Sequence, residues 1–311
     1  QGKNRITVKM DKGKHGRMAQ EKYHQAGRAC PVVISLGGDP WLFLAASLPL
    51  SLDTSEYEFT GWLQGAPFPV VPGPITGLPI PATAEIVIEG EIPPYGPEKL
   101  PQEGPFGEWP GYYTNTTVGE VPIMEVARVY YRNDPILLGV PTLKSPNQHL
   151  PIPLSAASLW DQLEKAGIPE VKGVWGFVYG STGPFTVVAI CQRYAGHAKQ
   201  TALVACGAKA GVVGGKFVVV VDDDVDITDL QDVIWAMSTR CNVREAVDIV
   251  KGVWTTPVEP AVRPSSRSLR GNTMDRVLID ACRPYQWLDE FPPVNAFSKE
   301  YKQQLEKKWQ V

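Results

Sequence analysis

The feature that most constrains the fold is a change of rhythm near residue 142. Before it, short runs of alternating or β-branched residues are broken by Pro and Gly, with the prolines densest between residues 66 and 110. Proline fixes its own φ and lacks a backbone donor, so this part is expected to be short-stranded and loop-rich. Strands are expected at Asn4 to Met10, Pro31 to Ser35, Glu56 to Leu63, Ala84 to Gly90 and Glu120 to Tyr131. Two helices are expected among them, Gly16 to Ala26, stopped by Gly27, and Pro40 to Ala46, with Asp39 as its N-cap. The first part therefore reads as a compact β-barrel-like domain.

After the change, helix and strand patterns alternate. Ser155 to Ala166, His197 to Cys206 and Asp229 to Ser238 read as helices; Val171 to Val178, Thr186 to Cys191 and Phe217 to Val221 read as strands. That order predicts an α/β layer with helices packed on a sheet. The division expected is 1–142 and 143–311. The final stretch, Ser298 to Trp309, is amphipathic, with Tyr301, Leu305 and Trp309 at four-residue spacing, and is expected to dock on the chain's own core or on a partner subunit.

A chain of 311 residues has room for two cores, and 43% hydrophobic with 20% charged residues is an ordinary globular balance. A net charge of −3 leaves no basic footprint for nucleic acid or an anionic membrane. No apolar run reaches the roughly 18 residues a bilayer requires. Five cysteines without CxxC spacing argue for reduced thiols, a cytoplasmic location and no zinc site. The start shows neither a signal-peptide pattern nor an initiator Met.

Chemistry concentrates in Glu103-Gly-Pro-Phe-Gly-Glu108, followed by Trp109-Pro-Gly-Tyr112. Gly104 and Gly107 open backbone angles closed to other residues and Pro105 fixes its own, so the two carboxylates are held in set directions. Carboxylates held close together have their pKa values pushed apart, one staying ionised and the other able to donate a proton. A generic pair of glutamates at this spacing is a solvated turn. The remainder of the chain sets this pair apart.

Four segments in order resemble the UbiD-type decarboxylases, which use prenylated FMN. They are Pro81-Ala-Thr-Ala-Glu85-Ile-Val-Ile-Glu89-Gly90 leading to the Glu103–Glu108 block; Val129-Tyr-Tyr-Arg132-Asn133-Asp134-Pro-Ile136; Val220-Val-Asp222-Asp223-Asp224-Val-Asp226 with Asp232-Val-Ile-Trp235-Ala-Met-Ser-Thr239-Arg240-Cys241; and Asp280-Ala281. The resemblance implies a split β-barrel flavin-binding domain followed by an α/β oligomerisation domain. It implies reversible decarboxylation of an aromatic or α,β-unsaturated acid, with CO2 as the other partner. The hard chemistry would belong to the cofactor, leaving orientation, metal binding and proton delivery to the protein.

By the same resemblance, His15 and Glu56 are the metal ligands, holding Mn2+ or Mg2+ against the flavin phosphate, with K+ a further candidate ion. His24 and Glu58 are nearby decoys, read as solvated. Lys209 falls near the family's phosphate-contacting lysine, with Lys216 or a plain strand-start lysine as alternatives. Glu108 is the general acid and Glu103 its carboxylate partner. Trp109, expected to wall the pocket and by burial to raise the pKa of Glu108, is joined there by Ile152, Val253 and Thr255. Val253 stands where some members acting on phenolic acids have a His, which weakens a catechol-forming reading; His149 is a second His that reaches the pocket from another loop in this reading. Asp222 to Asp224 are expected to cap the following turn and remain solvated.

The family's usual N-terminal segment, with a metal-binding Asn and an Arg for the carboxylate network, has no counterpart here. Arg5 stands at the wrong spacing to replace that Arg. The chain is therefore expected to be a fragment, a truncated gene product, or one part completed by another polypeptide. A flavin prenyltransferase is the expected cofactor supplier, and a homodimer or homohexamer the expected assembly. The competing reading is a non-catalytic assembly subunit that kept the fold.

Overall fold

A computed structural model of the chain describes all residues except 1–2, 11–14, 48–53, 95–100, 102–105, 109, 114–120, 140–142, 145–153, 178–183, 209–214, 257, 267–270 and 310–311. Two compact units emerge, one of residues 1–106 with 115–141, the other of 107–114 with 142–311.

The first unit is built on a four-stranded antiparallel sheet. Its strands are β1 (Arg5–Thr7), β2 (Cys30–Leu36), β5 (Ile86–Ile92) and β6 (Ile123–Tyr131), in the order β1-β6-β5-β2. A separate ribbon pairs β3 (Val70–Pro72) with β4 (Pro79–Pro81). Its strands are three residues long, as a proline-rich stretch dictates. Cys30, Ile92 and Met124 form the buried centre, with Ile6, Val8 and Tyr23 packed on it.

Three helices accompany this sheet: α1 (His15–Gln25), α2 (Pro40–Ser47) and α3 (Glu56–Gln64). Asp39 caps α2, its Oδ1 accepting from the Trp41 N–H at 2.8 Å. The expected strand from Glu56 to Leu63 is instead helix α3. Ser55 accepts from the Tyr57 N–H at 3.2 Å as N-cap, and Gly65 closes the other end at a left-handed φ of 70°. Ser55 and Glu58 stand at capping-box spacing, and that local signal outweighs the β-propensity of Tyr57, Phe59 and Thr60. His24, expected to be solvated, is partly buried, its Nε2 lying 3.1 Å from the Ile92 carbonyl and tying α1 to β5.

Glu89 on β5 organises the ribbon turn. It is completely buried; its Oε1 accepts from Ile75 N, Thr76 N and Thr76 Oγ1 at 3.0, 2.6 and 2.7 Å, and its Oε2 from the Tyr130 hydroxyl at 2.8 Å. Burial alone would raise its pKa, but these hydrogen bonds outweigh it and hold the carboxylate below its ordinary value.

The second unit carries a five-stranded mixed sheet in the order β10-β11-β9-β8-β7. The central strands β8 (Phe185–Ile190), β9 (Phe217–Asp222) and β11 (Thr273–Asp280) run parallel; β7 (Val171–Phe177) and β10 (Val247–Trp254) are antiparallel at the edges. Alternation sorts the central side chains onto two faces. Val188, Ile190, Val218, Val220 and Leu278 meet α4 (Leu154–Lys165) and α5 (His197–Gly207), while Val187, Ala189, Val219 and Val221 meet α6 (Leu230–Arg240). Burial on both faces is why these strands read as unbroken apolar runs, each valine contributing about 1.5–3 kcal/mol. A short helix, α7 (Val243–Ala246), leads into β10, and α8 (Lys299–Trp309) ends the described chain.

The aspartates after β9 differ from expectation. Asp223 is exposed, but Asp222 is buried; its Oδ2 accepts from Arg240 Nη1 at 3.0 Å and from Arg283 Nε at 3.1 Å, and its Oδ1 from Gln192 at 2.7 Å. Arg240 also grips both oxygens of Asp224 at 2.8 Å. Asp223 and Asp224 stay exposed as expected, while Asp222 joins a buried ion pair instead of a solvated turn, because its cations come from α6 and from beyond β11.

Candidate cofactor site and acid–base loop

His15 and Glu56 are the first residues of α1 and α3, and the structure brings them together: His15 Nδ1 lies 3.4 Å from Glu56 Oε1, each side chain a little over one third exposed. An imidazole nitrogen and a carboxylate oxygen are donors of the kinds that Mn2+ accepts, two of the six positions of an octahedral shell. Both residues open helices, so backbone N–H groups and the positive ends of two helix dipoles gather at the same place, which favours an anion such as a phosphate. Among the described residues no group of three or more His, Cys, Asp or Glu converges. This pair offers two donors.

Beside Glu56 opens a cleft of about 580 Å³, lined by the Gly37–Pro40 turn, Phe43, Tyr57, Glu85 and Ile136 to Leu138. Apolar side chains with a few carboxylates at the rim suit a flat ring system. Gly37 is required here: its φ is 68°, and a Cβ would stand 2.4 Å from the Ile136 carbonyl oxygen. Glu85 stands beside Gly37, its Oε2 accepting from the Ile136 N–H at 3.1 Å and its Oε1 lying 3.4 Å from Arg132. Arg132 in turn donates to the carbonyls of Ala82 and Ala84. Burial, then the neighbouring Glu56 charge, push the Tyr57 hydroxyl's pKa up. Glu85 and Gly37 were not singled out from the sequence as site residues; the Gly37-Gly38-Asp39-Pro40 run between a strand and a helix is the signal that marks the turn.

In the second unit, Glu108 sits in a loop closed on itself. Its N–H donates to the Tyr112 carbonyl at 3.0 Å, and the Glu108 carbonyl accepts from the Gly111 N–H at 2.8 Å. Its side chain is half-buried. Thr255 is buried and follows β10, its N–H donating to the Asn272 carbonyl at 3.0 Å. Val253 is half-buried against the α4–α5 core. Lys216 is engaged by Glu259 at 3.0 Å, and Arg5 by Glu125 at 3.2 Å. Glu58 is exposed. Glu103, Trp109, His149, Ile152 and Lys209 lie outside the described residues.

Comparison with known proteins places the chain in a family. Residues 1–145 match the UbiD family's 3-octaprenyl-4-hydroxybenzoate carboxy-lyase Rift-related domain, and residues 150–281 match its C-terminal domain. The chain is 34% identical over 290 residues to a phenolic acid decarboxylase of Streptomyces sp. (strain D7), covering 91% of this chain and 57% of that protein. It is 34% identical over 291 residues to the phenolic acid decarboxylase of Bacillus subtilis (strain 168), with 91% and 58% covered. The chain thus spans little more than half the length of these relatives. Among solved structures, the open form of vanillic acid decarboxylase from Sedimentibacter hydroxybenzoicus superposes with a TM-score of 0.82 at 27% identity, over 99% of this chain and 65% of that one. A UbiD-class enzyme of Pelotomaculum thermopropionicum in complex with FMN gives 0.81 at 28%, over 96% and 63%. An evolved dimeric form of that enzyme, in complex with prFMN, gives 0.74 at 28%, over 94% and 60%.

Proposed function

Since the chain belongs to the UbiD family, we propose that it works in a prenylated-FMN carboxy-lyase, reversibly decarboxylating an aromatic or α,β-unsaturated acid. A phenolic acid is the favoured substrate, because the similar proteins are named for phenolic acids. The observation that carries the reading is the His15–Glu56 convergence at two helix starts beside an apolar cleft. A purely structural subunit has no use for such a pair.

In this reading His15 and Glu56 hold Mn2+ or Mg2+ against the flavin phosphate, Lys209 adds a positive charge to that phosphate, and the cleft takes the ring. The bound cofactor supplies an electron sink for the pair left when the bond to the carboxylate breaks. Glu108 delivers the proton to the carbon that loses CO2 and removes it in the reverse direction. Glu103, five residues earlier in the chain, is the second carboxylate of the acid–base block. Trp109, Ile152, Val253 and Thr255 wall the acid and exclude water. A flavin prenyltransferase supplies the cofactor, K+ is a further candidate ion, and the second unit mediates self-association. Among the described residues no helix is long and apolar enough to cross a membrane.

The test is CO2 release from vanillate, 3,4-dihydroxybenzoate and related acids by the whole protein reconstituted with prenylated FMN and Mn2+. Release from at least one acid, dependent on the cofactor, is expected. A protein that binds the cofactor and releases no CO2 from any of them contradicts the reading and favours the assembly subunit.

A further inference from the structure

Three strand ends meet at one corner of the first sheet. Leu36, the last residue of β2, pairs with Ile86, the first of β5, and Ile86 pairs in turn with Tyr131, the last of β6. The residues just past these ends are Gly37, Glu85 and Arg132. Gly37 and Glu85 line the apolar cleft, together with Pro81 at the end of β4 and Ile136 to Leu138 beyond β6.

The Ile136–Leu138 stretch has little packing of its own: its side chains are 75%, 62% and 54% exposed, and it lies in no helix or strand. Its main chain is what is held. Glu85 grips the chain on both sides of the turn that leads there. Its carbonyl accepts from the Arg132 N–H at 3.0 Å, and its Oε2 from the Ile136 N–H at 3.1 Å. Pro135, between these donors, has no N–H and fixes its own φ, which leaves Ile136 to close the turn. On the other side the Ile136 carbonyl oxygen packs on Gly37, where a Cβ would stand 2.4 Å from it and 2.9 Å from the Glu85 Cβ and Cγ. Arg132 Nε lies 3.4 Å from Glu85 Oε1, and its guanidinium donates to the carbonyls of Ala82 and Ala84, both at 3.2 Å. The Ala84 N–H closes that turn on the Pro81 carbonyl at 3.0 Å. One carboxylate and one guanidinium thus tie two lining segments of the cleft to the ends of β5 and β6.

We propose that Glu85 is a positioning residue: through the Ile136 N–H it fixes where Ile136 to Leu138 stand, and so the shape of the cleft offered to the flavin ring. Its contribution is an acceptor oxygen at a fixed point, steadied by Arg132, and not a charge aimed at the ring. The inference rests on the function proposed above, in which this cleft takes the ring.

The experiment uses the whole protein and plain FMN as probe. Fluorescence quenching gives affinity, visible circular dichroism of the bound flavin reports the shape of its surroundings, and thermal unfolding reports integrity. Glu85→Ala removes the acceptor. It is expected to unfold as a cooperative protein, to bind FMN about tenfold more weakly, the worth of one lost charge-assisted hydrogen bond, and to alter the dichroism of the flavin it binds. Glu85→Gln keeps an acceptor oxygen of the same reach and loses the charge; it is expected to return affinity to within about threefold of wild type and to restore the spectrum. A Glu85 that only stabilised the fold would lower the unfolding temperature and move neither flavin readout. Glu85→Ala that binds FMN within about threefold of wild type overturns the proposal, as does Glu85→Gln that binds no more tightly than Glu85→Ala. If Glu85→Ala does not fold, Arg132→Ala decides, since that side chain is 53% exposed and its loss leaves no cavity. FMN binding weakened by about threefold or more supports the tie, and a smaller change overturns it. Wild type that binds no FMN overturns the functional reading and this inference with it; wild type that binds FMN while Glu85→Ala binds equally well overturns this inference alone.

Discussion

His15 Nδ1 stands 3.4 Å from Glu56 Oε1, each residue the first of its helix, so two helix starts, an imidazole and a carboxylate share one place. The capping of α3 by Ser55 fixes where that helix begins and hence where Glu56 points. Local capping chemistry in this way places a side chain for which the function proposed above has a use.

In the function proposed above, removing either His15 or Glu56 should remove the metal and weaken the cofactor. His15→Ala and Glu56→Ala are each expected to bind less than a tenth of the wild-type Mn2+ and to lose FMN on gel filtration, because structural and cofactor metals depend on every protein ligand of a small set, where even an outer-shell partner is worth about 10–100-fold in affinity. Metal analysis by mass spectrometry checks it. Unchanged Mn2+ and flavin content in both variants means that the pair is only a surface contact.

Glu89 makes acid stability a readout of the ribbon turn. Its folded-state pKa is depressed, so the stability it contributes is present above the ordinary glutamate value of about 4.3 and is lost as pH falls through the lower value the fold imposes. Glu89→Gln cannot accept the same set of hydrogen bonds and should cost about 3 kcal/mol at neutral pH. Urea unfolding of both proteins at pH 7 and at progressively lower pH should show the gap narrowing on acidification. A gap that stays constant or widens argues against an ionised Glu89.

The Arg240 network should matter to folding. Arg240→Met leaves the buried Asp222 with fewer partners and Asp224 without its bidentate one. Truncating one member of a buried ion network typically costs about 3–5 kcal/mol. Asp223→Ala, at the exposed position between them, should shift stability by less than about 0.5 kcal/mol. Equal effects of the two substitutions would contradict the network.

The parallel strands were legible because burial on two faces leaves a sequence mark: Phe217 to Val221 and Thr186 to Ile190 are apolar or β-branched without alternation. Helix α3 reads as a strand in the sequence because Tyr57, Phe59 and Thr60 favour strands, and only the Ser55–Glu58 cap spacing speaks for a helix. The burial of Asp222 was hidden, since Gln192, Arg240 and Arg283 converge on it from three distant segments. The His15–Glu56 pair came from resemblance alone; nothing in the local sequence of either residue announces the other. The tie from Glu85 to Ile136 left no mark either, because its donor is a backbone N–H, which every residue but proline possesses.

In the function proposed above, Glu108 moves the proton. The most direct measurement is hydrogen–deuterium exchange at the carbon bearing the carboxylate's replacement hydrogen, in the phenol or alkene product, catalysed by the whole protein with prenylated FMN. Wild type should exchange that hydrogen with solvent, and Glu108→Gln, folded and carrying cofactor, should be slower by about 10²–10⁴-fold, the usual worth of a positioned acid–base group. Exchange by Glu108→Gln at the wild-type rate would contradict the account.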